Sequence, residues 1–162
     1  DNERVELLNG YIVRMNPQRA PHAAVVQLLT RRLVAELDLP GKASVRCRLP
    51  LALSDDSEPE PDLAIVPNGA YDLGHPRTAF WVIEVADTSI QRDRIDKAAL
   101  YAAASIPEYW VINIERREIE VRTEPADGVY MRVTPYRSGE CASPLAFPEL
   151  TLAVDELMPQ SQ

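Results

Sequence analysis

The spacing of hydrophobic and polar positions changes along the chain, and each change predicts a different element. Two short apolar stretches over residues 5–15 are joined by Asn9-Gly10, the strongest short sequence signal for a β-hairpin. Over residues 21–39 the apolar positions recur with helical spacing, and the run stops at Pro40-Gly41. The pattern therefore predicts a leading hairpin followed by an amphipathic helix that packs on a sheet.

The middle of the chain carries the patterns of β-strands. Residues 43–53 alternate between apolar and polar, which predicts a half-buried strand, and Pro50 within it favours an edge or bulge position. Residues 63–66 and 80–86 are short continuous apolar runs, which are typical of strands buried on both faces. The loop over residues 67–77 between them is either a simple linker or the place where a substrate is contacted.

The last third of the chain predicts a second helix and a group of strands. Residues 91–105 have helical spacing with small residues along one face, and Pro107 ends the helix. Strands are predicted over 109–114, 119–122 and 129–133, and the tail over 150–158 as a short strand with a helical turn. A chain of 162 residues that mixes helices and strands predicts one α/β domain over residues 1–162.

Composition limits the kinds of partner. The formal charge of −8 argues against a protein that coats nucleic acid, because phosphate binding needs a basic face. It does not exclude a nuclease, since bound metal ions and a local group of arginines reverse the sign at one cleft. No apolar run approaches membrane-spanning length and no basic, hydrophobic leader is present, so we expect a cytoplasmic protein without a membrane partner.

An acidic residue inside an apolar strand is the main chemical signal. Glu84 interrupts the run over residues 80–86, where a lone ionised carboxylate costs several kcal/mol, roughly, unless a cation or donors compensate it. Asp62 falls at the mouth of the preceding strand, and Asp93 and Lys97 share one face of the next helix. Two acids on adjacent strands and a helical lysine are suited to a hard divalent cation and a nucleophile.

Each candidate also has a simpler interpretation. Asp93 and Lys97 at i,i+4 form an ordinary helical pair worth about 0.2–0.5 kcal/mol, which is the default without the upstream acids. Glu6 in the hairpin is either a solvated strand carboxylate or a supporting residue near the metal. His22 is more often a capping or packing histidine than a ligand, and Tyr101 is more often a packing residue whose hydroxyl has found a partner.

Several segments together resemble one family. They are P-D-L-A-I-V at 61–66, I-E-V-A-D-T-S-I at 83–90 and D-R-I-D-K-A-A-L-Y-A-A-A-S-I-P-E-Y-W-V-I-N at 93–113. They resemble the Uma2 proteins, a branch of the PD-(D/E)XK restriction-endonuclease-like superfamily. Glu6, Gly10 and His22 also sit where that family has its N-terminal Glu, Gly and His. The resemblance thus extends over most of the chain.

The resemblance implies a restriction-endonuclease-like fold, in which a mixed β-sheet core is flanked by helices and preceded by an N-terminal β-hairpin. It also implies a metal-dependent nuclease core with Asp62 and Glu84 as ligands. One position departs from the superfamily, whose Glu-x-Lys motif would place a lysine where this chain has Ala86. In Uma2-like proteins the lysine comes from the following helix, so Lys97 is the expected replacement.

Two functions from different classes follow. The first is an Mg²⁺- or Mn²⁺-dependent endonuclease acting on phosphodiester bonds in DNA. In it Asp62, Glu84 and the carbonyl of Val85 hold the ion, and Lys97 stabilises charge on the phosphate or orients the attacking water. The alternative is a catalytically inactive, nuclease-like binding or assembly domain, which Ala86 and the acidic charge favour. Related folds often act as homodimers so that two sites reach both strands, and for this chain a homodimer is an analogy.

Overall fold

The computed structural model describes residues 4–15, 17–86 and 91–159, with the side chains of 91–96 outside that description. Its centre is a mixed six-stranded sheet with the strand order β3-β4-β5-β6-β7-β8. The strands are β1 Val5–Leu8, β2 Tyr11–Arg14, β3 Ser44–Cys47, β4 Leu63–Val66, β5 Trp81–Ala86, β6 Glu108–Asn113, β7 Glu118–Ala126, β8 Val129–Tyr136, β9 Cys141–Ala142 and β10 Leu152–Ala153. The helices are α1 Ala20–Leu33, α2 Gln91–Ala103 and α3 Val154–Leu157.

The predicted hairpin is confirmed as β1 and β2. Asn9 and Gly10 both have positive φ angles, of 50° and 79°, as a two-residue turn of the primed type requires. The hairpin is not free in solvent, because the Glu58 N–H donates to the Leu7 carbonyl over 2.8 Å and the Gly10 N–H to the Asp56 carbonyl over 2.7 Å. This docking holds β1 against the segment that leads into β4.

Both faces of the central sheet are covered, which explains the continuous apolar runs of β4 and β5. On β5, Trp81 and Ile83 pack in the cluster that contains the buried residues of α1, whereas Val82 packs with Ala98 and Tyr101 of α2. The helix α2 connects β5 to β6, which lie parallel to each other, while the other neighbouring strands of this sheet run antiparallel.

The first predicted helix is confirmed, with an irregular end. α1 is followed directly by a π-helical segment, Val34–Asp38, so the helical stretch covers nearly the whole predicted range. Its buried side chains are those of the apolar stripe, namely Val25, Val26, Leu29, Leu33 and Leu37. As predicted for an amphipathic helix, this stripe faces the sheet.

The prediction of one strand over residues 43–53 is wrong in its extent. The strand β3 ends at Cys47, because Arg48 adopts a left-handed φ of 51° and turns the chain out of the ladder. Beyond this bend the predicted alternation fails at Leu49, which is 44% exposed, although Leu51 is fully buried. The edge position suggested by Pro50 agrees with β3, which lies at one edge of the six-stranded sheet.

The C-terminal part of the chain packs against the cluster that contains α1. The short strand and helical turn predicted for the tail correspond to β10 and α3. The partner strand β9 had no signal in the sequence, because two residues are too few to show a period. The buried carboxylate of Glu108 accepts hydrogen bonds from Trp110 Nε1 at 2.7 Å and from the Leu145 N–H at 2.6 Å. These bonds fasten the loop before β10 to β6. Within the described residues, no helix is both long and apolar enough for a membrane span.

Candidate active site

The strand register places Asp62 and Glu84 side by side. The pairing of β4 with β5 ends at Leu63 and Ile83, so one further residue in each direction puts Asp62 opposite Glu84. Side chains alternate along a strand, and Ala64 and Val82 on the same parity pack in the cluster of α2. The two acids therefore lie on the α2 face of the sheet, where directly opposed Cβ atoms are about 4.5–5.5 Å apart.

Asp62 is held by donors from three directions. One carboxylate oxygen, Oδ2, is 3.0 Å from His22 Nε2 and accepts the Val85 N–H over 2.9 Å. The other, Oδ1, accepts from Gln18 Nε2 at 3.3 Å and lies 4.0 Å from Arg48 Nε. Because an ionised carboxylate offers only acceptors, His22 donates through Nε2. Asp62 is only 8% exposed, so these partners replace most of its water.

Glu84 is held by two residues of α2. Lys97 Nζ lies 3.1 Å from Glu84 Oε1, and the Tyr101 hydroxyl donates to the same oxygen over 2.9 Å. Lys97 also lies 3.0 Å from Glu6 Oε2, so its ammonium bridges two acids from different parts of the chain. A second anchor holds Glu6, whose Oε2 accepts the Glu60 N–H over 3.2 Å.

Burial and nearby like charges together disfavour the ionised form of Glu84. The pKa of Glu84 is raised from 4.5 to about 7, chiefly by burial; Lys97 opposes the rise, and repulsion from Asp62 and Glu6 contributes to it. Burial alone would lower the pKa of Lys97, but Glu84 and Glu6 outweigh it and keep that pKa above its usual value. Burial is the main cause that raises the pKa of Tyr101, and the negative charge of Glu84 is the second. The hydroxyl therefore stays protonated and donates.

The oxygen ligands that this site offers suit a small, hard cation that keeps some of its water. Among the residues that the structure describes, no group of three or more His, Cys, Asp or Glu side chains forms a metal site. The fit rests instead on two opposed carboxylates and one backbone carbonyl. Mg²⁺ is usually bound through one or two carboxylates while keeping several waters, and a divalent ion would favour the ionised form of Glu84.

The orientation of Val85 is consistent with a role for its carbonyl. Its N–H points toward β4, where it donates to Asp62. In a strand the N–H and C=O of one residue point to the same side, and they alternate from residue to residue. The next carbonyl, that of Ala86, accepts from Ile114 on the β6 side. The Val85 carbonyl therefore faces the Asp62 side.

Most of the residues predicted from the sequence converge here. They form two groups of contacts on opposed positions of β4 and β5, with His22 bonded to Asp62 in one and Lys97 joining Glu84 to Glu6 in the other. Tyr101 belongs to the second group through its bond to Glu84. The side chain of Asp93 lies outside the described residues. Glu6 is 8% exposed, so it is not the solvated strand carboxylate of the simpler interpretation. His22 bonds to Asp62, which agrees with a packing histidine as well as with a supporting role.

Two neighbours of Asp62 were missed. Gln18 has no distinguishing pattern in the sequence. Arg48 is one of the polar positions in the alternation over residues 43–53, and that alternation does not show that it lies beside Asp62.

The raised pKa of Glu84 gives a testable dependence of stability on pH. Between about pH 4.5 and 7 the folded protein binds a proton that the unfolded chain has lost, so the free energy of unfolding falls as pH rises. In Glu84→Gln this contribution is absent. As pH rises from 4.5 to 7, the free energy of unfolding of Glu84→Gln should therefore increase relative to that of wild type, by at most about 3 kcal/mol.

Urea unfolding of both proteins at several pH values measures this difference. Glu124 lies on β7 with an exposed side chain, so Glu124→Gln is the control for removing one acid at the surface. A difference between wild type and Glu84→Gln that stays constant from pH 4.5 to 7 would contradict the buried, destabilised carboxylate.

Comparisons with known proteins agree with this fold. The model of the Uma2 family, described as "Putative restriction endonuclease", matches residues 1–155. No curated protein matches the chain. A crystal structure of a "putative nuclease belonging to DUF820" from Anabaena variabilis ATCC 29413 superimposes with a TM-score of 0.79 at 14% identity, covering 97% of this chain and 90% of that one. At this identity the likeness establishes a shared fold.

Proposed function

Because the chain belongs to the Uma2 family of restriction-endonuclease-like proteins, we propose that it is a metal-dependent endonuclease that hydrolyses phosphodiester bonds in DNA. One observation carries the proposal: Asp62 and Glu84 are opposed on adjacent strands while the Lys97 ammonium lies 3.1 Å from Glu84. Like charges placed directly opposite each other destabilise a sheet. Such a pair costs stability, and carboxyl groups whose pKa values are perturbed by burial and neighbouring charges cluster at functional sites.

Asp62, Glu84 and the Val85 carbonyl would hold Mg²⁺ or Mn²⁺. When bound, such an ion lowers the pKa of its water and neutralises charge that develops on the phosphate. The surrounding residues fix the two carboxylates. His22 and Gln18 hold Asp62 through opposite oxygens, and Tyr101 holds Glu84 through Oε1. Positioning of this kind reduces the reorganisation needed when substrate arrives.

Lys97 is the proposed cationic group of the reaction. Its pKa stays above the usual value, so it carries a full positive charge at neutral pH and does not act as a base. We assign it to stabilising charge on the phosphate or to orienting the attacking water. The contact with Glu6 at 3.0 Å keeps the ammonium near Glu84 even when the charge of Glu84 is shared with a metal ion.

Supercoiled plasmid incubated with Mg²⁺ or Mn²⁺ tests the proposal. We expect wild type to produce nicked circles that EDTA prevents, and Glu84→Gln to be slower by about 100-fold or more, since it loses charge at a metal ligand. An absence of metal-dependent cleavage by wild type, or equal rates in the two proteins, would refute the proposal. Linear product formed in one encounter would further support the homodimer, which is proposed here by analogy.

A non-catalytic binding or assembly domain is the second candidate. Its supporting observation is that Lys97 pairs directly with Glu84, so the buried acid already has a cation. Ala86, at the position of the usual lysine, points the same way. Calorimetry with Mn²⁺ separates the two functions, because a simple ion pair predicts no metal site that depends on Asp62.

A further inference from the structure

Arg48 is held beside Asp62 by an unusual backbone conformation. Its φ of 51° is in the left-handed region, which residues other than glycine seldom adopt. The Arg48 N–H donates to the Asp62 carbonyl over 3.2 Å, one step beyond the ladder of β3 with β4. The side chains of Arg48, Asp62 and Glu84 consequently belong to three neighbouring positions across the sheet.

The guanidinium of Arg48 is not fully used by the protein. Its Nε lies 4.0 Å from Asp62 Oδ1, which is too long for a hydrogen bond, and among the described residues this buried nitrogen has no hydrogen-bond partner. The side chain as a whole is 29% exposed. It therefore reaches solvent next to the carboxylate that we propose as a metal ligand.

The other cation of the site is less accessible to a substrate. Lys97 is enclosed by two carboxylates, with its side chain 11% exposed. A phosphodiester that approaches Asp62 and Glu84 meets two negative charges and needs an accessible cation nearby. A guanidinium is suited to this role because its planar set of donors matches phosphate oxygens.

We propose that Arg48 binds a phosphate group of the nucleic-acid substrate, on the side of Asp62 away from Lys97. The inference rests on the proposed nuclease function and names a residue that contacts substrate in it. The simpler alternative is that Arg48 only balances the charge of Asp62. The two roles differ in what the loss of Arg48 does to DNA and to the metal.

Arg48→Met tests the proposal in two measurements. In plasmid or oligonucleotide cleavage we expect KM to rise about tenfold, the value of one charge-assisted hydrogen bond, with a smaller change in kcat. Fluorescence anisotropy measures the affinity of the Glu84→Gln variant for a labelled duplex. Adding Arg48→Met to this variant should weaken binding by the same factor and reduce the dependence of log affinity on log salt concentration by about 1. Arg48→Lys should restore part of the binding. Affinity for Mn²⁺ should be unchanged or tighter, because a positive charge beside Asp62 is gone.

Arg46→Met is the matched control. Arg46 lies two residues earlier on β3. Its Nε, like that of Arg48, has no hydrogen-bond partner among the described residues, but its guanidinium is engaged by His75 Nδ1 at 3.3 Å and by the Tyr71 ring. Equal losses in Arg46→Met and Arg48→Met would indicate only a general charge effect and would overturn the inference. The inference would also be overturned if Arg48→Met kept the wild-type KM and salt slope while the wild-type protein cleaves DNA. If wild type neither binds nor cleaves DNA, the proposed function itself fails.

Discussion

Asp62→Asn is expected to abolish metal-dependent nicking, with a rate at least about 100-fold below wild type, and to keep the fold. The substitution removes the charge of Asp62 but keeps one carbonyl oxygen, which can still accept from His22 and the Val85 N–H. The folded structure should therefore lose little beyond the 3.3 Å bond from Gln18 Nε2, whereas the proposed cation would lose half of the carboxylate charge that holds it. Plasmid nicking and calorimetry with Mn²⁺ measure the two consequences separately.

Asp38→Asn is a close control for this experiment. Asp38 Oδ2 accepts the Val45 N–H over 2.8 Å, which matches the bond between Asp62 and the Val85 N–H at 2.9 Å. Asp38 lies at the end of the π-helical segment rather than on the α2 face of the sheet. Nicking should persist in Asp38→Asn. Loss of activity in both variants, or in neither, would argue against Asp62 as a ligand.

The elements that were predicted well are those with a local cause. The hairpin depends on two residues that accept positive φ, and β4 and β5 are apolar on both faces because α1 and α2 cover them. The anomaly of Glu84 was visible for the same reason. A polar residue in a strand buried on both sides requires a partner, wherever in the chain that partner lies.

The features that were missed depend on long-range register or on a single backbone angle. The alternation over residues 43–53 continues past Cys47, yet the φ of Arg48 ends the strand there. The contact of Glu6 with Lys97 requires the hairpin to dock on residues 56–60. The sequence pattern of a docked hairpin is the same as that of a solvated one. Sequence period alone contains neither piece of information.

The departure at Ala86 has a structural counterpart. Ala86 is 1% exposed and packs with Ala98 and Ala102 on the α2 face of the sheet. Ala86 is enclosed in this buried cluster, so a lysine at position 86 would have to place a long charged side chain in close-packed apolar space. From α2, Lys97 reaches Glu84 directly. The helix thus supplies at the same carboxylate the cation that the strand lacks.

Lys97→Met should have the largest effect on stability of any single substitution in this site. It leaves Glu6 and Glu84, whose side chains are 7% and 13% exposed, without their shared cation. Removing one partner from a buried charge pair typically costs about 3–5 kcal/mol. The loss should be largest near pH 8 and smaller near pH 5, because Glu84, whose pKa is already about 7 with Lys97 present, can then take up a proton.

Urea unfolding at the two pH values measures this loss, and Lys42→Met provides the comparison. Lys42 pairs with Glu149 at 2.9 Å, but the two side chains are 45% and 57% exposed, so its removal should cost far less than that of Lys97 at either pH. The double variant Glu84→Gln/Lys97→Met should recover part of the loss near pH 8, since one uncompensated acid is gone. A loss in Lys97→Met as small as that in Lys42→Met would show that Glu6 and Glu84 do not depend on this ammonium.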